Sequence, residues 1–272
     1  MFLCPICAKE LSKCENTLKC ASNHSFDYSK SGYVNLLSPG KMNNAKAGDS
    51  KEMIRARTEF FESGAYSKIR DTLCTLVSSL KNNIVVDAGC GEGYYTYGLA
   101  KAMPDSYVIG FDMSKFGCEH ASKVAKREGL FNLSYAVSNI FSMPLASEYA
   151  DIVVSLFAPV ASEEFYRILR NGGHLIVASA GIKHLDGLKM ALYDDVYPNE
   201  EKFPIYDGLE LLRVENLKYS TTISGNGTIK ALFTMTPYYH RTSLSDKEKL
   251  NSVSEISTTI EVNFAIYKKQ NF

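Results

Sequence analysis

Ile84-Val85-Val86-Asp87-Ala88-Gly89-Cys90-Gly91-Glu92-Gly93-Tyr94-Tyr95 is the stretch on which the reading of this chain turns. It reads as a short buried strand, a glycine-rich turn and the start of a helix. Three apolar residues, two of them valine, run into an acid. Glycines at 89, 91 and 93 let the backbone bend sharply and approach a ligand where a Cβ would collide. The helix that follows points free N–H groups back at the turn, which suits a polar or anionic ligand end. Glycine turns of this kind occur in many nucleotide folds, so the flanking residues matter.

Two flanking features narrow the reading. The spacing is G-x-G-x-G, not the G-x-G-x-x-G of dinucleotide sites, and Asp87 stands before the first glycine. After a helix from Tyr94 to Met103, a second strand, Tyr107 to Phe111, ends at Asp112. A carboxylate there can accept from both ribose hydroxyls. Together these features resemble the S-adenosylmethionine site of Rossmann-like, class I methyltransferases. The plain alternative is an ordinary βαβ turn with an incidental acid.

The chain has 272 residues, enough for one large α/β domain and a small appendage. Thirty basic residues balance thirty acidic ones, and mean hydropathy is −0.13. The balance neither announces nor excludes a nucleic acid, because local patches matter more than totals. Residues 1–83 carry an excess of about +4. No apolar run has the length of a membrane span, and the first residues lack a basic-then-apolar leader, so a cytoplasmic location and no membrane partner are expected.

Four of the seven cysteines, Cys4, Cys7, Cys14 and Cys20, crowd into the first twenty residues. In a cytosolic chain such crowding points to metal rather than disulfide. Cys4-Pro5-Ile6-Cys7 is a C-x-x-C knuckle, and His24 follows Cys20 at C-x3-H spacing. Two close pairs of N/S ligands joined by a loop are what tetrahedral zinc requires. The expected set is Cys4, Cys7, Cys20 and His24, with Cys14 as a rival member. Such a zinc would be structural, holding together a module too small for its own core.

Phe26, Tyr28 and Tyr33 follow among polar residues. They either cover the seam between the module and the main domain or stack bases, and the seam is the favoured reading. Residues 38–50 read as a linker whose Lys41 and Lys46 could touch phosphates. The expected division is a zinc-binding RNA-recognition module at 1–37, the linker at 38–50, and a methyltransferase domain at 51–272. Ser50 caps a helix to about Ser63, and a second helix runs from about Tyr66 to Leu80. In the class I methyltransferases that the glycine turn resembles, helices so placed often form a lid over the cofactor.

Ser114 caps the next helix, and a third strand, Leu133 to Val137, leads to Asn139. In the class I methyltransferases that the turn resembles, this strand end carries an acid or amide facing the adenine. Asn139 is therefore expected to bond the adenine amino group, the plain alternative being a polar turn. A fourth strand, Asp151 to Phe157, runs into Ala158-Pro159 at the carboxyl edge, where a methyl acceptor should sit. Asn171-Gly172-Gly173 is read as the turn before a fifth strand, His174 to Ser179. His184 then closes over the same edge, although a lone histidine is usually a bystander. Residues 194–208 read as an irregular acidic loop. The end of the chain reads as strand (Leu211 to Ile223), helix (Gly227 to Met235) and strand (Thr258 to Tyr267), completing a seven-stranded mixed sheet.

With both halves in view, the chain resembles the bacterial RlmA-type 23S rRNA guanine-N1 methyltransferases. The residues carrying the resemblance include Cys4-Pro5-Ile6-Cys7, Cys20, His24-Ser25-Phe26-Asp27 and Gly32-Tyr33-Val34-Asn35-Leu36. Further on they are Gly48-Asp49-Ser50, the Asp87 to Thr96 segment, Ala158-Pro159, His184-Leu185 and Met235-Thr236-Pro237. The resemblance implies S-adenosylmethionine contacts from Tyr66, Gly91, Glu92 and His184, and zinc at the four ligands above. It implies a guanine in the helix 35 hairpin loop as substrate; one branch of that family gives resistance to tylosin-type macrolides. The expected cofactor contacts are therefore Tyr66, Asp87, Gly89, Gly91, Glu92, Gly93, Asp112, Asn139 and His184. The expected partner is 23S rRNA, with a homodimer left open. No general base stands out, and Glu163 and Glu164 are candidates only. Two rival functions are a small-molecule methyltransferase with a structural knuckle, and a zinc-ribbon regulator that senses S-adenosylmethionine.

Overall fold

Apolar runs that are buried on both faces become the parallel strands at the centre of one sheet, as such strands must when helices cover both sides. The computed structural model describes residues 2–37, 48–81 and 83–270. In chain order the first elements are β1 (Leu11–Cys14), β2 (Thr17–Cys20), β3 (Ser25–Asp27) and β4 (Val34–Asn35). Next come α1 (Lys51–Glu62), α2 (Ser67–Ser78), β5 (Ile84–Ala88), α3 (Tyr94–Ala102), β6 (Tyr107–Asp112), α4 (Lys115–Arg127) and β7 (Leu133–Val137). The remainder is β8 (Ala150–Leu156), α5 (Ser162–Ile168), β9 (Leu169–Ala180), α6 (Asp186–Leu192), β10 (Leu209–Ser224), α7 (Asn226–Thr234), α8 (Leu244–Lys249) and β11 (Glu255–Lys269).

The main sheet has the order β10-β11-β9-β8-β5-β6-β7-β4. β11 and β10 run antiparallel to their neighbours, and the pairs from β9 through β4 are parallel. At β5 the chain order reverses direction across the sheet: β6 lies on one side and β8 on the other. The crevice beyond the carboxyl ends of these strands is where ligands of such sheets bind. Ser50 and Ser114 cap α1 and α4 as expected, each accepting from a backbone N–H with its hydroxyl.

The sheet has eight strands where seven were expected. The extra strand is β4, the exit of the N-terminal module, which pairs with the edge strand β7 at Val34–Ala136 and Asn35–Val137. Phe2 bridges to Leu145, and its ring stands edge-on to Phe111 at 6.0 Å. Leu11, Leu18, Val34 and Leu36 share one apolar cluster with Val86, Ile109 and Phe111 of the sheet. The module is thus welded to the edge and one face of the large domain. Tyr33 is buried, and Phe26 and Tyr28 pack against that same cluster or its neighbour, which agrees with the seam reading.

Residues 38–47 of the expected linker, with Lys41 and Lys46, lie outside the described residues. The expected turn at Asn171-Gly172-Gly173 is absorbed into β9, which begins at Leu169 and pairs irregularly with β8 near Ala150. The short helices α6 and α8 were not anticipated.

Candidate functional site

The N-terminal cluster is built by a knuckle and a hairpin end. Cys4 and Cys7 flank a tight turn before β1, while Cys20 closes β2 and His24 follows it. Their four ligand atoms all lie within 4.8 Å of one another. Cys4 Sγ and Cys20 Sγ stand 3.4 and 3.5 Å from His24 Nδ1, and Cys7 Sγ is 3.7 Å from Cys20 Sγ. A tetrahedron with ordinary Zn–S and Zn–N bonds has S–N and S–S edges of about 3.6 and 3.8 Å. The donor set therefore fits zinc. Cys14 is exposed at the end of β1 and is not part of the cluster.

At the carboxyl end of β5 the turn is held against β6 by Gly89 and Cys90, whose N–H groups both donate to Phe111 O. Gly89, Gly91 and Gly93 all have positive φ, at 86°, 54° and 88°. A Cβ on Gly89 would come within 2.7 Å of Ala158 Cβ, so this turn abuts the loop after β8. A Cβ on Gly91 would reach 3.5 Å from Arg57 Nε, filling the cradle between the turn and α1. α3 starts at Gly93 with no side-chain cap.

Asp112 closes the turn from the side. Its Oδ2 accepts from Gly91 N–H at 2.9 Å and its Oδ1 from Ser114 N–H at 2.6 Å. Each oxygen keeps a further lone pair for a ligand hydroxyl. Asp87 is buried beneath the turn and accepts from Thr96 Oγ1 at 2.6 Å. Burial lifts its carboxyl to about 7 despite that hydrogen bond. Asn139 follows β7 beside Asp112, to which Ser138 N–H links the turn; its Oδ1 accepts from Phe141 N–H at 3.0 Å.

Glu92 is 4% exposed and accepts from Arg57 Nε at 2.5 Å. Arg57 was missed in the sequence. It stands on α1 between the buried Ala56 and Phe60, and a charge on the edge of an apolar helix face was the signal available.

Tyr66 and His184, 118 residues apart, meet at 3.0 Å between Oη and Nε2. His184 Nδ1 accepts from Glu261 N–H at 3.3 Å. Burial holds the imidazole down to about 4, so it is neutral at pH 7. With Nδ1 accepting, the proton sits on Nε2, which donates to Tyr66 Oη and leaves the tyrosine O–H to donate elsewhere. His184 is therefore not built to act as a base.

These two residues, with Arg57, line a cavity of about 420 Å³ at the carboxyl edge of β8 and β9. Phe157, Ala158, Lys202, Phe203, Tyr206 and Tyr238 are among its other walls. No carboxylate among the described residues lines it. Glu163 does not reach it, and Glu164 is occupied by Arg167 at 2.7 Å and by Met143 N–H, so neither base candidate faces this space. The glycine turn borders the cavity through Arg57 and Ala158. The structure thus brings Tyr66, His184 and Arg57 to one cavity, ties Glu92 to Arg57, and bonds Asp112 to the turn at Gly91, with Asn139 outside the residues lining that cavity.

Residues 79–230 match the family profile described as a methyltransferase domain, and residues 2–44 match that of the RlmA N-terminal zinc ribbon. The chain is 33% identical over 195 residues to the 23S rRNA (guanine(748)-N(1))-methyltransferase of Streptomyces fradiae, covering 70% of this chain and 66% of that protein. It is 29% identical over 286 residues to YxjB of Bacillus subtilis, provisionally named a 23S rRNA (guanine-N(1)-)-methyltransferase, covering 99% and 97% of the two chains. The fold is shared with the YcgJ protein of Bacillus subtilis, at a TM-score of 0.51 and 17% identity over 75% of this chain and 98% of that one.

Proposed function

The chain belongs to the methyltransferase-domain family, in the branch that carries the RlmA zinc ribbon, and from that premise we propose that it methylates N1 of a guanine in 23S rRNA, within the helix 35 hairpin loop. The observation that carries this reading is the junction of a four-ligand zinc cluster, on its own three-stranded sheet, with the sheet whose carboxyl edge holds the glycine-turn crevice. A ribbon strand paired directly to β7 holds the two at a fixed distance. The division into a module at 1–37, a linker at 38–50 and a catalytic domain at 51–272 is part of the proposal.

S-adenosylmethionine supplies an electrophilic methyl group on a sulfonium. In this reading Asp112 takes the ribose hydroxyls on its spare lone pairs, and Asn139 offers its amide N–H to the adenine. Gly89, Gly91 and Gly93 let the backbone approach, with Asp87 stiffening the turn from below through Thr96. Glu92 acts by holding Arg57, and Tyr66 and His184 close the methionine end. The zinc cluster orders the ribbon and takes no part in the chemistry.

The guanine N1 lies on the pairing edge, so the base must be unpaired to react, and a hairpin loop meets that need at low cost. The chain's contribution is alignment of N1 behind the methyl group in a walled cavity, an effect that supplies several kcal/mol in general. Mass mapping of methylated guanines in 23S rRNA from cells with and without the gene tests the reading. A 1-methylguanine lost from helix 35 is expected; an unchanged map would contradict it.

A further inference from the structure

Phe157 is one of two non-glycine residues lining this cavity with left-handed backbone, the other being Leu185. The φ of Phe157 is +51°, in the left-handed region, where bulky side chains are outliers. Strain of this kind persists where the surroundings impose it and marks candidate functional positions. Here the surroundings are explicit. Phe157 N–H donates to Ala178 O at 3.0 Å, which pins the residue to the end of β9. Ala158 is pressed against the Gly89 turn.

The effect of the left-handed bend is to turn an aromatic ring into the cavity. Phe157 is 42% exposed, directly after a strand whose residues are all buried. Its neighbour on one side is His184, with centroids 5.7 Å apart and planes at 28°. His184 is in turn fixed by Tyr66 and Glu261. Phe157 thus stands beside a fixed imidazole, and both line the cavity. Phe203, Tyr206 and Tyr238 stand among the other walls. A flat apolar face with rigid backing, next to a crevice that holds a methyl donor, suits a planar heterocycle with exposed π-faces.

We propose that Phe157 is the platform on which the target base of the RNA stacks once it has left its own stack. The left-handed backbone is what aims the ring at that position. This rests on the RNA-methyltransferase reading and deepens it. Stacking on a phenyl face accepts any base, so Phe157 sets the position of the base and leaves its identity to polar groups elsewhere in the cavity.

The test compares Phe157→Leu, Phe157→Gly and Phe157→Tyr with the wild type. The full-length, zinc-loaded protein is used with a 23S rRNA helix 35 hairpin and tritiated S-adenosylmethionine. Phe157→Leu should lower kcat/KM about 10- to 100-fold, the size of one lost base stack. S-adenosylmethionine affinity by calorimetry should change less than about 3-fold. Phe157→Tyr, which keeps the ring, should recover most of the loss. Phe157→Gly is the control for folding: glycine accepts φ +51° without strain, so thermal stability should hold while kcat/KM falls as for leucine. Phe157→Leu with wild-type kcat/KM would overturn the platform and leave the RNA reading standing. A wild-type protein that transfers no methyl group to RNA would overturn both.

Discussion

Arg57 Nε lies 2.5 Å from Glu92 Oε2, so a charge on α1 is neutralised by the middle of the glycine turn, 35 residues further on. Burial pulls the guanidinium pKa down, but Glu92 and Asp49 more than offset this, and the net shift is upward. The pair is the mechanical link between the first helix and the cofactor crevice.

Arg57→Ala should therefore destabilise the fold by about 3 kcal/mol, because it leaves a buried carboxylate alone; the low end applies since Arg57 keeps some solvent contact. Adding Glu92→Gln should restore part of that loss. Urea melts of the single and double variants measure the coupling, and additive effects would show that the pair does not interact.

Asp112→Ala removes the acceptor for both Gly91 N–H and Ser114 N–H, and with it the proposed ribose contact. Binding of S-adenosylmethionine should weaken about 10- to 100-fold by calorimetry, with Asp112→Asn between the two. Unchanged affinity in Asp112→Ala would place the ribose elsewhere.

Zinc removal should be felt beyond the ribbon. Because β4 is a strand of the main sheet and Leu11 and Leu18 share its core, chelation should lower the Tm of the whole chain by several degrees, about 5 °C or more. Cys7→Ser should do the same without chelator. A domain transition that ignores chelator would mean the ribbon and the sheet fold independently.

Two buried groups give opposite pH slopes. His184 is held down to about 4 by burial, so between about 4 and 6.5 the unfolded chain takes a proton that the folded chain refuses. Its contribution to stability is lost as pH falls through that window. Asp87 is lifted to about 7 by burial, so there the folded chain keeps a proton that the unfolded chain has released. Its contribution is present below about 4 and lost as pH rises toward 7. Compared with the wild type, denaturant melts at pH 4.5 and 6.5 should show the slope of stability with pH shifted downward in His184→Gln and upward in Asp87→Asn. Shifts in the same direction in both variants would contradict the assignment.

Most of the sheet was legible because its strands obey local rules. Ile84 to Ala88 and Leu133 to Val137 stand where the apolar runs put them, and Ser50 and Ser114 cap the helices they were expected to cap. Two-residue β4 was not legible, since Val34-Asn35 is too short to show a period and is a strand only because β7 offers it an edge. The turn at Gly172 was misplaced because a strand can carry a bulge through glycines when its partner supplies the register. At the site, the glycine turn and the cysteine spacing announced themselves in sequence. The Arg57–Glu92 pair, the Tyr66–His184 contact and the bent ring of Phe157 did not, because each depends on residues brought together from separate elements.

The most direct test of the central claim uses purified, zinc-loaded protein, S-adenosylmethionine and 23S rRNA, followed by reverse transcription. A methyl group on N1 blocks base pairing, so a new stop at one guanine of the helix 35 loop is predicted, dependent on the methyl donor and absent in Asp112→Ala. Full read-through of that loop after incubation, with S-adenosylmethionine bound to the protein, would contradict it.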